Sequence, residues 1–182
     1  KDFDRAQALD TVQLFAFLRA TQPETLKRLA IVNCADAKDI NRLKFLTRLS
    51  SEIGKRGVID VLRKGIEHHP AGHFDLFYGT PSEGNATSQA LHAQNRFAVT
   101  RQFAYSVDAA RRALDLGLFI NGLPIATFEL KNSLTRQTVI DAVTQYQRDR
   151  DPREKLFEFG RCVVHWAVDD SEVRMCTQLA GK

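Results

Sequence analysis

The sequence predicts an α/β protein in which a mixed β-sheet is flanked by helices and preceded by a helical N-terminal region. Apolar residues recur at helical spacing through roughly the first 65 positions and then change to the alternation typical of strands. From Ile125 to Val168 the pattern is strand, helix and strand, a crossover connection that is right-handed in nearly all proteins. We therefore expect one domain over residues 1–182, with a helical part at about 1–65 and a mixed-sheet core at about 66–182.

Helices account for the whole of the first part. The segment Thr21–Glu24 has a capping-box pattern with proline just inside the helix start. A second helix follows Asp39, because leucine and isoleucine recur there at helical spacing, and Gly54 is expected to end it. A shorter helical turn spans Val58–Lys64 and ends at the next residue, a glycine.

The core begins with a predicted strand at His73–Tyr78 and a polar loop at Gly79–Ala90. The next strand, Arg96–Tyr105, alternates along its length, which places Val99 and Phe103 on the same face. The remaining predicted elements are strands at Ala113–Ile120, Ile125–Lys131, Cys162–Val168 and Val173–Thr177, and a helix from Val139 that ends at Asp151-Pro152.

Composition narrows the class of protein. The net charge is +4, and Arg19–Lys64 holds eleven Lys and Arg against five Asp and Glu. A basic surface of this kind suits a phosphate backbone, although many basic domains bind no nucleic acid. No apolar run approaches the ~20 residues that span a bilayer. The three cysteines form no CxxC pair, which favours structural thiols in a reducing cytoplasm.

The hairpin LDLGLFINGLPIATFELKN, residues 114–132, carries charged residues where buried strands are normally apolar. Alternation puts Glu129 and Lys131 on one side of the second strand, and Phe128 and Leu130 on the opposite face, where we expect them to be buried. A two-residue or four-residue loop would leave Asp115 on the wrong face. A three-residue loop, 121–123, or a β-bulge would place Asp115 opposite Glu129.

Two adjacent carboxylates and a lysine suit phosphodiester hydrolysis. The carboxylates repel each other unless a cation lies between them, and Mg²⁺ prefers one or two carboxylates together with water and phosphate oxygens. The ammonium group of Lys131 could orient a water molecule or stabilise the anionic transition state. The triplet Glu-x-Lys is weak evidence alone, because Asp36-Ala37-Lys38 repeats it in a helix-start context. The alternative is a surface ion pair between Glu129 and Lys131 on an edge strand.

The same hairpin, followed by TRQTVIDAVTQYQRDRDP, resembles the N-terminal nuclease region of the restriction (motor) subunit of type I restriction-modification enzymes. The resemblance extends to NRFAVTRQFAYS upstream and LFEFGRCVVHWAVDDSEVRMCTQLAGK downstream. That region belongs to the PD-(D/E)xK nuclease superfamily, which implies a restriction-endonuclease-like core. The resemblance implies that Asp115, Glu129 and the backbone carbonyl of Leu130 bind Mg²⁺, and that Lys131 is the catalytic lysine.

The resemblance also implies accessory residues, but here the sequence matches the motif of the related nucleases only in part. Related nucleases carry Gln-x-x-x-Tyr on the helix after the lysine; Tyr146 is present here, but Ala142 occupies the glutamine position. Gln145 and Gln137 are nearby candidates for contact with DNA or with the active site.

Basic residues near the hairpin are further candidates for contact with DNA. Arg101, Arg111 and Arg112 flank the predicted site in sequence. The run Arg148–Asp151 is interpreted as a solvated helix end, and His165 as a packing histidine in a core strand.

The resemblance implies a type I site-specific deoxyribonuclease that cuts double-stranded DNA after ATP-driven translocation, in the cytoplasm of a bacterium or archaeon. Its partners are the modification and specificity subunits, and no membrane is involved. ATP would be needed by helicase domains outside this chain, which contains no G-x-x-x-x-G-K-[ST] motif. We expect a piece of a longer protein that lacks an upstream helix bearing a supporting glutamate. The alternative is a non-catalytic DNA-binding or subunit-docking module with a nuclease fold.

Overall fold

The computed structural model describes residues 3–107 and 112–179. Its helices are α1 (Thr11–Thr21), α2 (Pro23–Arg28), α3 (Ile40–Arg56), α4 (Val58–Lys64), α5 (Ala86–His92) and α6 (Val139–Thr144). Its strands are β1 (Phe3–Asp4), β2 (Leu9–Asp10), β3 (Ile66–His68), β4 (Gly72–Phe74), β5 (Phe97–Ala104), β6 (Ala113–Ile120), β7 (Leu123–Leu130), β8 (Val164–Val168) and β9 (Val173–Cys176). No helix in the described ranges is both long and apolar enough to cross a membrane.

The helical part follows some of its local sequence signals and departs from others. Oδ1 of Asp39 accepts hydrogen bonds from the amides of Asn41 and Arg42, both at 2.9 Å, and so caps α3, which follows Asp39 as predicted. The predicted stop at Gly54 is wrong: α3 continues to Arg56 because the first glycine with a positive φ, +80°, is Gly57. The bounds of α4 are those predicted.

Helix α2 begins at Pro23 as expected, but the predicted capping box does not form. Thr21 is the last residue of α1, and its hydroxyl donates to the carbonyl of Phe17 at 2.9 Å. The side chain of Gln22 instead binds the backbone of Asp75 in both directions, each at 2.8 Å. This contact explains why the strand predicted at His73–Tyr78 is shorter in the structure.

Several short elements were not predicted, and the expectation of an entirely helical first part is wrong, because β1 and β2 pair there as antiparallel strands. The short strand β3 pairs with β4 as an antiparallel hairpin before the main sheet. Helix α5 lies partly within the predicted polar loop, because Oδ1 of Asn85 accepts from the amide of Ser88 at 2.9 Å and caps its start. Its short length and polar composition give little periodicity from which to predict it.

The main sheet has the strand order β5-β6-β7-β8-β9. Neighbouring strands are antiparallel except β7 and β8, which are parallel and joined through α6. The predicted mixed sheet and its crossover connection are therefore confirmed. Helix α6 packs on β7, β8 and β9, where Val139, Ala142 and Ala167 form a small buried cluster.

Strand β5 does not keep one apolar face along its length. Gln102 has a φ of +49°, which interrupts the alternation of side chains. Val99, before this point, is 63% exposed, whereas Phe103, after it, is buried above Gly117 with Phe119. The prediction that Val99 and Phe103 share a face is wrong, because nothing in the residue types signals a left-handed glutamine between them.

The tip of the β6–β7 hairpin joins the sheet to the helical part. Asn121 and Gly122 both have positive φ, +50° and +83°, as a two-residue hairpin turn requires. The side chain of Asn121 is fully buried and donates to the carbonyl of Leu76 at 2.8 Å. The carbonyl of Gly122 accepts from the amide of Asp10 at 2.8 Å, and a Cβ at Gly122 would lie 2.3 Å from the Asp10 oxygen.

The sheet has two dissimilar faces. We call one the covered face; it packs beneath α6 and the segment after it, and carries Gly117, Thr127, Glu129, His165 and Ala167. We call the other the open face; it carries Val99, Leu116, Phe128, Leu130, Trp166 and Met175.

Leu130 is 40% exposed on the open face, and Phe128 is half-buried and stacks on Trp166. The predicted burial of these two residues is wrong, because the chain after β7 returns across the covered face instead.

Candidate functional site

A β-bulge sets the register of the two strands that carry the acidic residues. At the turn, Ile120 pairs with Leu123, which is the register of a two-residue loop. A register shift between Leu118 and Phe119 then brings Leu116 opposite Phe128. Continuing this register by one residue on each strand sets Asp115 beside Glu129. The structure thus uses the bulge, not the three-residue loop, to bring the two acidic positions together.

Asp115 lies where the ladder between β6 and β7 ends. Its Oδ2 accepts a hydrogen bond from the amide of Leu130 at 2.7 Å, and its Oδ1 accepts from the side chain of Gln102 at 3.3 Å. The carboxylate therefore takes the place of a backbone carbonyl at this point. Asp115 is half-exposed, and with Arg101, Gln102 and Leu130 it lines an open depression at the sheet.

Glu129 is 1% exposed and forms an ion pair with Arg150. Nε of Arg150 donates to Glu129 Oε1 at 2.8 Å, and Nη2 donates to the same oxygen. Burial raises the pKa of Glu129 to about 7, against the opposing effect of the guanidinium. Burial also disfavours the charge on Arg150, but Glu129 and Tyr105 together outweigh this effect, and the pKa of Arg150 is raised.

Lys131 follows directly after β7 and is half-buried. Its amide donates to the carbonyl of Val168 at 2.8 Å, which keeps its backbone beside β8. The negative charge of Asp115 raises the pKa of Glu129 and the positive charge of Lys131 lowers it. The three predicted site residues are therefore close enough for their charges to interact.

The donor set suits a hard divalent cation. Asp115 and Glu129 supply carboxylates from neighbouring strands, and both hydrogen bonds from Arg150 fall on Oε1 of Glu129, so that Oε2 receives neither. No group of three or more His, Cys, Asp or Glu residues arranged for a metal occurs in the described ranges. A metal here would thus need water or phosphate oxygens as well, as Mg²⁺ usually does. The contact between Leu130 and Asp115 uses the amide of Leu130, not the carbonyl predicted as a ligand.

Tyr146, predicted as an accessory residue, lies under the sheet. It is 6% exposed, and its hydroxyl is 2.9 Å from Oγ1 of Thr127, which is 2.7 Å from Nδ1 of His165. Burial lowers the pKa of His165 to about 4, as suits a neutral packing histidine. In this position Tyr146 supports the covered face, because its ring and hydroxyl are both engaged there.

The two glutamine candidates lie in different places. Gln145 begins a π-helical turn, Gln145–Asp149, and its Oε1 is buried without a hydrogen-bond partner among the described residues. Gln137 is exposed before α6 and lines a separate depression with Asp169 and Asp170. Of the two, Gln145 is on the element that leads into Arg150.

Of the arginines predicted to contact DNA, Arg101 is exposed on β5 in the depression that Asp115 also lines. Arg112 is exposed immediately before β6. Arg111 lies outside the described residues. The exposed guanidinium groups of Arg101 and Arg112 are thus accessible to a phosphate backbone near the start of β6.

Sequence interpretation missed Arg150, which is 8% exposed and not part of a solvated helix end. A signal was available: the apolar positions Val139, Ala142, Val143 and Tyr146 continue at helical spacing to residue 150. The charge of arginine masked this periodicity. Arg148, two residues earlier, is exposed as predicted.

Comparison with known proteins identifies the family. A family model described as the N terminus of the type I restriction enzyme R protein matches residues 58–182. A protein of Methanocaldococcus jannaschii, named as the endonuclease subunit of the type I restriction enzyme MjaIXP, is 34% identical over 74 residues. These residues are 39% of this chain and 7% of that relative, so the chain spans a small part of the relative's length. No solved structure matches the chain. The matched residues include β6, β7 and Lys131. The chain therefore belongs to the family of type I restriction enzyme R protein N termini.

Proposed function

We propose that this chain is the nuclease domain of a type I restriction enzyme and hydrolyses phosphodiester bonds of double-stranded DNA with Mg²⁺. One observation carries the proposal: the bulge in the β6–β7 hairpin brings Asp115 and Glu129 to neighbouring positions on adjacent strands. Lys131 follows Glu129 by two residues in the sequence. Family membership supports it, as does the name of the M. jannaschii relative. The restriction-endonuclease-like arrangement of the sheet is part of the same proposal.

Each side chain has a distinct task in this proposal. Asp115 and Glu129 would hold the cation from adjacent strands, with the backbone of Leu130 beside them. When bound, Mg²⁺ makes a coordinated water more acidic and neutralises charge on the phosphate. The ammonium of Lys131 would orient the attacking water and stabilise the negative charge that develops during displacement. Arg101 and Arg112 would contact the DNA backbone on the exposed side.

In the longer protein, we propose that motor domains consume ATP to move DNA, and that modification and specificity subunits supply sequence recognition. This chain would then cut without reading bases. That division fits the depression that Asp115 lines together with Arg101 and Gln102, because these side chains can reach a DNA backbone.

The test is cleavage of unmodified plasmid by the assembled enzyme carrying Lys131→Ala. We expect a loss of about 100-fold or more, the size typical of removing one group that stabilises transition-state charge. ATP hydrolysis should persist, because translocation would depend on other domains. Lys38→Ala is the matched control, since Lys38 ends the other acidic-x-Lys triplet and is exposed. Cleavage at the wild-type rate by the Lys131→Ala enzyme would remove the lysine from the mechanism.

A non-catalytic module with the same fold is the second candidate, and the ion pair between Glu129 and Arg150 favours it. A carboxylate that is buried and already neutralised needs no metal. Titration of the chain with Mn²⁺ discriminates the two functions. A nuclease should bind Mn²⁺ and lose that binding on Asp115→Ala, whereas a docking module should show no binding that depends on Asp115.

A further inference from the structure

The geometry points to Arg150 as a positioning residue that fixes Glu129 and the start of β6 relative to each other, so that divalent-cation binding at Asp115 and Glu129 depends on it. This inference rests on the proposed function. The side chain of Arg150 reaches back beneath the sheet after the π-helical turn Gln145–Asp149, and its own amide donates to the carbonyl of Gln145 at 3.1 Å.

One guanidinium contacts both strands that carry the acidic residues. Its Nε and Nη2 donate to Glu129 on β7, and Nη2 also donates to the carbonyl of Ala113 on β6 at 2.9 Å. Ala113 is two residues before Asp115. The group therefore spans the point where the β6–β7 ladder opens around Asp115, and it constrains the separation of the two carboxylates.

The contacts also favour a guanidinium that stays in place when a cation binds. Its Cζ lies 5.7 Å from the ring centroid of Tyr105, and the side chains of Arg150 and Glu129 are 7% and 2% exposed. Withdrawal would leave the carbonyl of Ala113 and a buried carboxylate without these hydrogen bonds. Because both hydrogen bonds to Glu129 fall on Oε1, Oε2 can face a cation while Arg150 holds the other oxygen.

Lysine cannot reproduce this arrangement. It offers a single ammonium in place of the planar fork that reaches Glu129 and Ala113 together. A group that only balanced charge would be replaceable by lysine, whereas a group that sets geometry would not. The effect of Arg150→Lys therefore distinguishes a residue that positions Glu129 from one that only neutralises its charge.

The first experiment measures Mn²⁺ affinity of the full chain by electron paramagnetic resonance of free Mn²⁺. We expect Arg150→Met to weaken binding at least tenfold and Arg150→Lys to weaken it several-fold. Arg148→Met, at the exposed arginine of the same run, should leave affinity unchanged. Near-ultraviolet circular dichroism identifies variants that remain folded at the titration temperature, and affinities are compared among those.

The second experiment needs no substitution. The Nε–H resonance of Arg150 in wild-type protein should stay protected from solvent exchange when Mg²⁺ is added. Loss of protection on Mg²⁺ binding would mean that the guanidinium is displaced, which overturns the inference even if both variants fail to fold.

The outcomes separate the two proposals. If Asp115→Ala abolishes Mn²⁺ binding while folded Arg150→Met or Arg150→Lys binds as tightly as wild type or more tightly, the role of Arg150 is wrong and the proposed function stands. If the wild-type chain shows no Mn²⁺ binding sensitive to Asp115, both proposals are wrong.

Discussion

The two faces of the five-stranded sheet reverse the usual distribution of polarity. The covered face buries Thr127, Glu129 and His165, each at most 2% exposed, whereas the open face leaves Val99 and Met175 more than 60% exposed. Scattered exposed apolar residues are ordinary, but buried ionisable groups are not. The difference shows that the polar groups beneath α6 are buried where each has a specific partner, as Thr127 has in His165 and Glu129 in Arg150.

The largest change in the free energy of unfolding should come from a large-to-small substitution on the covered face of β5. Phe103→Ala removes a ring that packs against Phe3 and Phe119, and we expect it to lower the free energy of unfolding by about 3–5 kcal/mol. Val99→Ala, four residues earlier and 63% exposed, should change it by less than about 0.5 kcal/mol. Urea denaturation of both variants measures the difference.

This pair tests the reversal at Gln102 directly. Simple alternation puts Val99 and Phe103 on the same face, so equal losses of stability would mean that strand β5 keeps its alternation and that the two faces are not as described.

The next effect is the dependence of stability on pH. Burial lowers the pKa of His165 from 6.5 to about 4, so folding favours the neutral ring. The contribution is fully present above pH 6.5 and is lost as the pH falls from 6.5 through 4. The loss is on the order of 3 kcal/mol when the ring is fully protonated. In a plot of the free energy of unfolding against pH, His165→Gln should therefore reduce the decrease between pH 6.5 and pH 4.

The exposed His69 provides the control for that measurement. His69→Gln should follow the wild-type curve over the same range. If stability falls at acid pH in His165→Gln as it does in the wild type, the ring is solvated or already charged. His165 would then not count among the buried neutral groups of the covered face.

The smallest effect is expected on the open face. Met175→Lys places an ammonium at a position that is 64% exposed, and the free energy of unfolding should change by less than about 0.5 kcal/mol. Fluorescence of a bound hydrophobic dye should fall, because an exposed apolar surface is interrupted. Ala167→Lys, 3% exposed on β8, is the contrasting variant and should destabilise strongly by burying an unpaired charge. Similar losses in the two variants would mean that the open face is covered.

Local sequence signals were sufficient for much of the fold and for the meeting of the two acidic strands. The cap at Asp39, the turn at Asn121-Gly122 and the apolar period of α6 depend on nearby residues, so they could be predicted. Placing Asp115 on the same face as Glu129 required either a three-residue loop or a bulge, and the structure contains the bulge.

The failures are positions where a distant partner decides the outcome. The left-handed φ of Gln102 has no signature in its own side chain, and the exposure of Leu130 depends on which face the chain crosses after β7. Arg150 was assigned to solvent because charged residues are rarely buried, and its burial depends on a carboxylate twenty-one positions earlier. The carboxylates of Asp115 and Glu129 could be paired from sequence, but their hydrogen-bond partners could not.

The buried hairpin tip has a practical consequence for handling the protein. Such tips are ordinarily where proteases nick a chain and where tags or new termini are accepted. Here the side chain of Asn121 is hydrogen-bonded to the backbones of Leu76 and Arg96, and Gly122 lies against Asp10. An insertion would therefore separate the sheet from the helical part. Labels and circular permutation belong instead in the exposed stretch around Glu83, well away from that joint in sequence.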